Sequence, residues 1–258
     1  MINLILNGCN GKMGQVISNM CHNNPDFKVI AGIDINPNIV NNYYKVYDNI
    51  EQVSEEADLL LDFSHPGSLN NIVKYCVDKG IALVVATTGL SPAHYELLLE
   101  AAAKIPVFQS ANMSLGVTLT AELCKNAAKA LAGDFDIEII EKHHNEKKDA
   151  PSGTALMLAK EINNAIHEPM EFIYERFESG KRKSSEIGIY SVRGGTIPGE
   201  HIVIFAGKDE IIEIKHTALS RKIFAEGSLK AIKFIVNKET GFYSMNDLLK
   251  ELSISEWN

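Results

Sequence analysis

The first 113 residues alternate short apolar runs with stretches in which apolar residues recur at helical spacing. The apolar runs lie at residues 2–6, 29–33, 59–63, 81–86 and 107–108. Strands that are apolar throughout and separated by helical patterns are typical of a parallel sheet that crossover helices cover on both faces. The sequence therefore predicts an α/β domain of the doubly wound, Rossmann type at the start of the chain.

The pattern changes after this region. A long helical stretch at 115–131 precedes an alternation of apolar and acidic residues at 135–139 and a further helical pattern at 155–166. Strand-like runs at 187–193, 201–206 and 211–216 are separated by glycine-containing turns, and we expect them to be antiparallel. Helical spacing returns at 224–236. The predicted layout is a dinucleotide-binding domain at 1–113 and 221–258, and an α+β domain with an open mixed sheet at 114–220.

Composition narrows the class of partner. The formal net charge is −8, so binding to nucleic acid or to an anionic membrane is not expected. No signal peptide and no apolar stretch of about 20 residues, as a membrane span requires, is visible. Four scattered cysteines without metal-ligand spacing indicate reduced thiols, no metal site and a cytoplasmic location.

A glycine-rich loop follows the first predicted strand. Glycines at 8, 11 and 14 would let the backbone approach a pyrophosphate at a helix start. Asp34 ends the second predicted strand, where an acidic residue binds the hydroxyls of the adenine ribose, although a helix cap or a turn would suit it equally well. A free carboxylate there disfavours a 2′-phosphate, while Lys12 could still reach one. We therefore expect NADH to be used at least as well as NADPH.

Two further loops end predicted parallel strands. They contain Thr87 and Thr88 in one case and residues 110–113 (Ser110, Ala111, Asn112 and Met113) in the other. Ligands of parallel sheets bind beyond the carboxyl ends of the strands, so these loops are expected to face the nicotinamide. The alternative is that they are ordinary turns.

The stretch from residue 141 to residue 156 reads EKHHNEKKDAPSGTAL. It combines His143 and His144, which can exchange protons near neutral pH, with a cationic Lys147 and a Ser-Gly-Thr helix start whose amides could bind a carboxylate. The lysines at 142 and 148 would complete a local cationic cluster. Adjacent histidines on a strand point in opposite directions, so both could face one ligand only if the strand has ended.

Three polar residues of the chain each have more than one possible role. Ser152 or Asp149 could simply cap the following helix, and capping is compatible with binding. Arg193 could brace the site or pair with an acidic neighbour. From the residues alone, the prediction is an NAD(P)H-dependent reductase of a small anionic molecule.

The same stretch resembles the signature of the 4-hydroxy-tetrahydrodipicolinate reductase (dihydrodipicolinate reductase) family of diaminopimelate and lysine synthesis. The resemblance runs nearly end to end and includes GCNGKMG, DFSHPGSL, VVATTGL, SANMSLGV, SVRGGTIPGEHIVIFAG and GFYSMNDLL. The histidine, lysine and Asp-Ala-Pro-Ser-Gly-Thr segment is highly specific, whereas the glycine loop is not. The resemblance implies reduction of a cyclic dicarboxylic imine precursor by NADH or NADPH with loss of water.

It also implies roles for individual residues. His143 and Lys147 correspond to catalytic proton donors, and the sequence does not assign either proton to either group. Substrate contacts correspond to His144, Gly153 and Thr154, and we add Ser152 from the helix start. Nucleotide contacts correspond to Gly8, Cys9, Asn10, Gly11, Lys12, Met13, Asp34, Ala86, Thr87, Thr88, Ser110, Ala111, Asn112 and Met113. The family fold implies a Rossmann domain, a substrate domain whose open sheet builds a homotetramer, and a hinge.

Three positions differ from the pattern of well-known family members. Lys12 replaces a frequent arginine, and Ile35 stands where some members have an arginine for the NADPH phosphate. Glu146 precedes the predicted catalytic lysine, and we expect it to point to solvent because it would repel a dicarboxylate.

Two rival functions follow from the same sequence. One is a different two-domain NAD(P)H oxidoreductase that acts on a sugar or an amino-acid semialdehyde. The other is a nucleotide-sensing regulatory protein without chemistry. A dicarboxylate-binding cluster fits a sugar poorly, and the presence of His143 and Lys147 argues against a mere sensor.

Overall fold

The computed structural model describes residues 1–177 and 180–255. It divides the chain into two compact units, one of Met1–Ser114 with Arg221–Asn258 and one of Leu115–Ser220. The last three residues of the predicted range 221–258 lie outside the described residues. None of the helices in the described part is long and apolar enough to cross a membrane.

The first unit begins with β1 (Ile2–Asn7), α1 (Lys12–His22), β2 (Phe27–Ile33), β3 (Lys45–Tyr47), β4 (Leu59–Asp62), α2 (Leu69–Lys79), β5 (Ala82–Val85), α3 (Pro92–Ala102) and β6 (Pro106–Gln109). The second unit contains α4 (Leu115–Leu131), β7 (Asp136–His143), α5 (Gly153–Ala165), β8 (Glu171–Ile173), β9 (Glu186–Arg193), β10 (Glu200–Ala206) and β11 (Ile211–Thr217). The chain then completes the first unit with α6 (Lys222–Ile235), β12 (Gly241–Tyr243) and α7 (Met245–Ser255).

The first unit contains a seven-stranded parallel sheet in the order β12-β6-β5-β4-β1-β2-β3. Its central strands are apolar because both faces are covered, and Leu4, Leu60 and Leu83 are fully buried. Strand β1 lies between β2 and β4, so the order of the strands reverses there. This reversal is the position where an open α/β sheet forms a ligand crevice at the carboxyl ends of its strands. The predicted Rossmann-type sheet is confirmed.

The second unit contains a five-stranded mixed sheet in the order β11-β10-β7-β9-β8, and the predicted open mixed sheet is confirmed. Apolar side chains of β7, β9 and β10 pack with α4 and α5 in one core that includes Ile139, Leu158, Ile187 and Phe205. The apolar faces of the two helices therefore pack against the apolar face of this sheet.

One prediction about this sheet is wrong in part: β10 and β11 form an antiparallel pair as predicted, but β9 does not pair with β10. Strand β9 is parallel to both of its neighbours, β7 and β8, whereas β10 is antiparallel to β7 and β11. The glycine turn after β9 suggested a hairpin with β10. That hairpin cannot form because β7 lies between β9 and β10, and the crossover through α5 makes β8 and β9 run in the direction of β7.

Candidate active site

The first half-site is the glycine loop between β1 and α1. A Cβ atom at Gly14 would lie 2.2 Å from the carbonyl oxygen of Gly8, and one at Gly8 would lie 2.5 Å from the carbonyl oxygen of Phe63. Gly8 also has a φ of 77°, which favours glycine. The loop is therefore closely packed backbone. Gly11 precedes α1 and brings no capping side chain, so the helix start is suited to an anion such as a pyrophosphate.

The side chains of this loop divide by exposure. Cys9 is fully buried, and burial raises the pKa of its thiol to about 12, so any nucleotide contact at Cys9 would come from its backbone. Asn10 and Met13 are half-buried, while Gly11 and Lys12 are exposed. These positions fit a dinucleotide that approaches the start of α1 from solvent.

Asp34 follows β2 and contacts the glycine loop directly. Its Oδ2 accepts a hydrogen bond from the Asn10 amide at 3.1 Å, and its Oδ1 accepts one from the Asn36 amide at 3.0 Å. The second contact is a local turn, as in the alternative interpretation of this residue. The first places the carboxylate beside the predicted pyrophosphate loop. Asp34 is half-buried, so part of the carboxylate still faces solvent.

A fully buried carboxyl group, Asp62, joins the ends of three adjacent strands. It accepts hydrogen bonds from Asn7 Nδ2 at 2.8 Å, Thr87 Oγ1 at 2.6 Å, Ser64 Oγ at 2.5 Å and the Ser64 amide at 3.2 Å. Burial raises the pKa of Asp62, and these hydrogen bonds only partly oppose that effect. Asp62 therefore fixes the loops after β1, β4 and β5 relative to one another.

The other predicted nucleotide contacts lie on the same edge of the sheet. Ala86 and Thr87 are buried, and Thr88 is exposed. After β6, Ser110 Oγ donates a hydrogen bond to the carbonyl of Asn112 at 2.7 Å, Ala111 is exposed, and Met113 is buried. The structure thus brings these loops to the carboxyl edge, where Thr87 serves as a partner of Asp62.

The second half-site begins at the end of β7. His143 is the last residue of this strand and is buried, and its Nδ1 lies 2.5 Å from Glu141 Oε2. Arg193 binds the same carboxylate with both terminal nitrogens, at 2.7 Å from Nη1 to Oε2 and 2.6 Å from Nη2 to Oε1. Arg193 therefore both pairs with an acidic neighbour and braces the site, which resolves the open alternative. The Nε2 atom of His143 lies beside Gly199, where a Cβ would come within 3.2 Å of it.

The start of α5 is held against this sheet. Ser152 is the N-cap, and its Oγ accepts a hydrogen bond from the Ala155 amide at 3.2 Å. The same Oγ lies 2.8 Å from His201 Nε2, and the Ser152 amide donates to Glu141 Oε1 at 3.1 Å. Burial, followed by the nearby charge of His143, lowers the pKa of His201 to about 4, so this imidazole is neutral at physiological pH. Gly153, exposed, and Thr154, half-buried, then begin the helix.

The predicted cationic cluster is divided in the structure. Lys147 pairs with Asp149, with Nζ 2.7 Å from Oδ1 and 2.9 Å from Oδ2, and this contact lowers the pKa of Asp149. Lys142 precedes His143 on the strand, so its side chain lies on the opposite face, where it pairs with Glu200 at 2.6 Å. Of the other members, His144 is half-buried and Lys148 is exposed. Glu146 is exposed, as expected.

Sequence reasoning missed Asp62, Glu141 and His201 as parts of the two half-sites. For Glu141 and His201, the alternation of inward and outward residues along the strands could have indicated that they are buried. Glu141 is in phase with the buried Ile137 and Ile139 on β7, and His201 lies opposite Glu141 in the register of β10. A charged residue at an inward position of a strand requires a partner.

Among residues 1–177 and 180–255, no group of three or more histidine, cysteine or acidic side chains is arranged to hold a metal ion. All four cysteines lie in this part of the chain, and all are buried with free thiols, as predicted.

Comparison with known proteins covers both units. A family model described as "Dihydrodipicolinate reductase, N-terminus" matches residues 2–113, and one described as "Dihydrodipicolinate reductase, C-terminus" matches residues 116–249. Curated relatives named 4-hydroxy-tetrahydrodipicolinate reductase include one from Caldanaerobacter subterraneus subsp. tengcongensis, 51% identical over 252 residues that cover 97% of this chain and 99% of the relative. Another, from Clostridium tetani, is 48% identical over 249 residues that cover 96% of this chain and 97% of the relative.

A solved structure supports the same fold. Dipicolinate-bound dihydrodipicolinate reductase from Paenisporosarcina sp. TG-14 has a TM-score of 0.79 and 24% identity, and the match covers 95% of this chain and 97% of that one. Because the family models together match most of the chain and two curated relatives are 51% and 48% identical to it over nearly its whole length, the chain belongs to the dihydrodipicolinate reductase family.

Proposed function

We propose that this protein reduces 4-hydroxy-tetrahydrodipicolinate to tetrahydrodipicolinate with loss of water, using NADH or NADPH, in diaminopimelate and lysine biosynthesis. The observation that carries the proposal is the second half-site. There, a buried histidine anchored at Nδ1 lies in the same unit as a lysine-bearing loop and a capped helix start. This combination can bind an anion and deliver a proton, in a chain whose two units both match the reductase family.

The first unit, predicted as 1–113 with 221–258, is the proposed dinucleotide-binding domain. The closely packed glycine loop and the start of α1 hold the pyrophosphate, and Asp34 holds the adenine ribose. Residues 86–88 and 110–113 orient the nicotinamide at the carboxyl edge of the sheet. When bound, the dinucleotide supplies the hydride.

The second unit, predicted as 114–220, is the proposed substrate domain. One substrate carboxylate meets the amides of Gly153 and Thr154 and the hydroxyl at Ser152. Lys147 and His144 offset the remaining negative charge, a role that suits a point cation. Lys147 is already bound by Asp149, so a substrate carboxylate has to compete with Asp149 for the ammonium group.

His143 is the proposed proton donor to the reduced substrate. Its Nδ1 faces Glu141, which leaves Nε2 as the atom that exchanges the proton. Lys147 is the second proposed catalytic donor. Arg193 is occupied by Glu141 and by the carbonyl of Asp149, so we do not assign it to a substrate carboxylate.

Assembly into a homotetramer in the cytoplasm completes the proposal. Strand β11 forms an edge of the second sheet and carries Ile211, which is 67% exposed, and Ile212, which is 39% exposed. An exposed apolar edge strand favours pairing with another copy of the chain. Light scattering coupled to size exclusion would test the tetramer.

The activity is tested by a coupled assay. The preceding synthase generates the unstable substrate from pyruvate and aspartate semialdehyde while the absorbance of NADH or NADPH is followed. Oxidation that requires this protein supports the proposal, and the ratio of the two cofactors tests whether Asp34 and Lys12 select one. If nucleotide binds but neither cofactor is oxidised, the reductase assignment fails and the sensor or the other-substrate oxidoreductase is favoured.

A further inference from the structure

Glu141 is a fully buried carboxylate two residues before the proposed proton donor. Four donors converge on it: Arg193 Nη1 at 2.7 Å, Arg193 Nη2 at 2.6 Å, His143 Nδ1 at 2.5 Å and the Ser152 amide at 3.1 Å. Each carboxylate oxygen accepts two of these contacts. The arrangement uses most of the acceptor capacity of an ionised carboxylate.

The carboxyl group is ionised in the folded protein. Burial raises the pKa of Glu141, but the polar side chains around it, Arg193 above all and then Ser191 and His143, outweigh that effect and bring the pKa to about 2. An ionised carboxylate only accepts hydrogen bonds. The Nδ1 atom of His143 therefore has to carry a proton, whatever the state of Nε2.

This requirement determines what His143 can do. With Nδ1 protonated and bound, the cationic imidazole donates from Nε2, and the neutral product is the Nδ1–H tautomer that Glu141 favours. A carboxylate that orients an imidazole in this way selects one tautomer and stabilises the charged ring. Glu141 thus prepares His143 both before and after it releases a proton.

The same carboxylate fixes the helix start that is proposed to bind the substrate. The Ser152 amide donates to Oε1, and the Arg193 nitrogen that binds Oε1 also donates to the carbonyl of Asp149 at 2.6 Å. Glu141 therefore holds both ends of the segment from Asp149 to Ser152. It binds the Ser152 end directly and the Asp149 end through Arg193. The proton donor and the anion-binding amides share one anchor.

We propose that Glu141 is a positioning residue of the reductase, which holds His143 in the Nδ1–H form and sets the distance between that imidazole and the amides at the start of α5. The proposal rests on the function proposed above. A purely structural role is the alternative, because breaking any buried ion pair destabilises a fold. The two roles differ in what happens to turnover once His143 is absent.

The test compares Glu141→Gln with Glu146→Gln, which removes the same charge from an exposed position on the neighbouring loop. In the coupled assay, we expect Glu141→Gln to lower kcat about 10²-fold, as expected when a general acid loses its orienting carboxylate, and to raise KM. Affinity for NADH, which the first unit binds, should stay within about twofold of the wild type for both variants, and Glu146→Gln should stay within about twofold in every parameter.

A second pair of variants separates positioning from structure. In a His143→Ala background, Glu141→Gln should lower kcat further by no more than about threefold, because groups that act as a unit are not additive, while the rise in KM should persist. A folded Glu141→Gln variant with kcat near that of the wild type would overturn the proposal. So would an equally large loss of kcat in the His143→Ala background.

A measurement on the wild-type protein does not depend on whether any variant folds. In histidine-labelled protein, nitrogen NMR should show neutral His143 as the Nδ1–H tautomer, and a predominant Nε2–H tautomer would refute the positioning role. If the wild type fails to oxidise NADH or NADPH in the coupled assay, the proposed function fails. The tautomer still decides whether Glu141 orients His143.

Discussion

Removal of the Asp62 carboxyl group is expected to weaken both the first unit and its nucleotide binding. Asp62 accepts four hydrogen bonds. Asn7 and Ser64 keep other partners when the carboxyl group is lost, but the Thr87 hydroxyl loses the acceptor that it contacts at 2.6 Å. At about 1 kcal/mol net for each bond, with partial compensation, Asp62→Ala should lower the free energy of unfolding by about 3 kcal/mol.

The consequence for binding follows from the position of these bonds. They join the ends of β1, β4 and β5, and Gly8 follows β1 directly. Loss of this junction should raise the dissociation constant of NADH by about tenfold, or about 1.4 kcal/mol. Asp62→Asn should cost only about 1 kcal/mol in stability, because the amide keeps one acceptor and can donate to the Thr87 oxygen.

Urea unfolding followed by circular dichroism and a fluorescence titration with NADH measure the two effects. Asp58→Ala is the matched control, since Asp58 is exposed and directly precedes β4, which Asp62 ends. Its Oδ2 accepts a hydrogen bond from the Asn3 amide at 2.7 Å. Asp58→Ala should lower the free energy of unfolding by no more than about 0.5 kcal/mol. The role of Asp62 as the junction of the three loops would be refuted if the two variants lost equal free energy of unfolding. It would also be refuted if Asp62→Ala were destabilised but bound NADH as tightly as the wild type.

Three further changes test other parts of the structure. Gly14→Ala places a Cβ against the Gly8 carbonyl and should weaken NADH binding by at least about tenfold in the same titration, and unchanged affinity would show that the loop does not hold the nucleotide. Ser152→Ala removes the cap of α5 and the partner of His201 Nε2, so unfolding should be easier by about 2 kcal/mol in urea, and a change below about 0.5 kcal/mol would contradict the cap. Because the pKa of Glu141 falls from 4.5 to about 2 on folding, its ionised form stabilises the protein above pH 4.5, and this contribution disappears as the pH falls through 2. The stability difference between wild type and Glu141→Gln should therefore shrink by about 3 kcal/mol between pH 5 and pH 2, and a constant difference would contradict the low pKa.

Local patterns were sufficient to predict most elements of the fold. The central parallel strands, α4 and the mixed second sheet follow from the period of the apolar residues, because burial on one or two faces imposes that period directly. The short strands β3, β8 and β12 were not predicted, since three residues are too few to establish a period. The pairing of β9 with β10 was predicted wrongly, although the two strands do run antiparallel, because β7 is inserted between these neighbours in sequence.

The same limit applies to the candidate site. Paired histidines and a Ser-Gly-Thr helix start are visible in a continuous stretch, so the sequence alone could propose where the second half-site lies. Glu141 was visible only as an acidic residue in phase with Ile139, and its partner Arg193 lies 52 positions further along the chain. Which of two adjacent basic residues faces the interior depends on strand phase, and that phase places His143 inside and Lys142 on the opposite face.

The most direct test of the central claim compares the His143→Ala/Lys147→Ala double variant with the wild type in the coupled reductase assay, alongside an NADH titration. If the second half-site performs the chemistry while the first unit binds the nucleotide, the variant should bind NADH as the wild type does. Its turnover should fall by at least about 10²-fold. Near-normal turnover by the double variant would show that neither residue is a catalytic proton donor, and it would contradict the assignment of the active site.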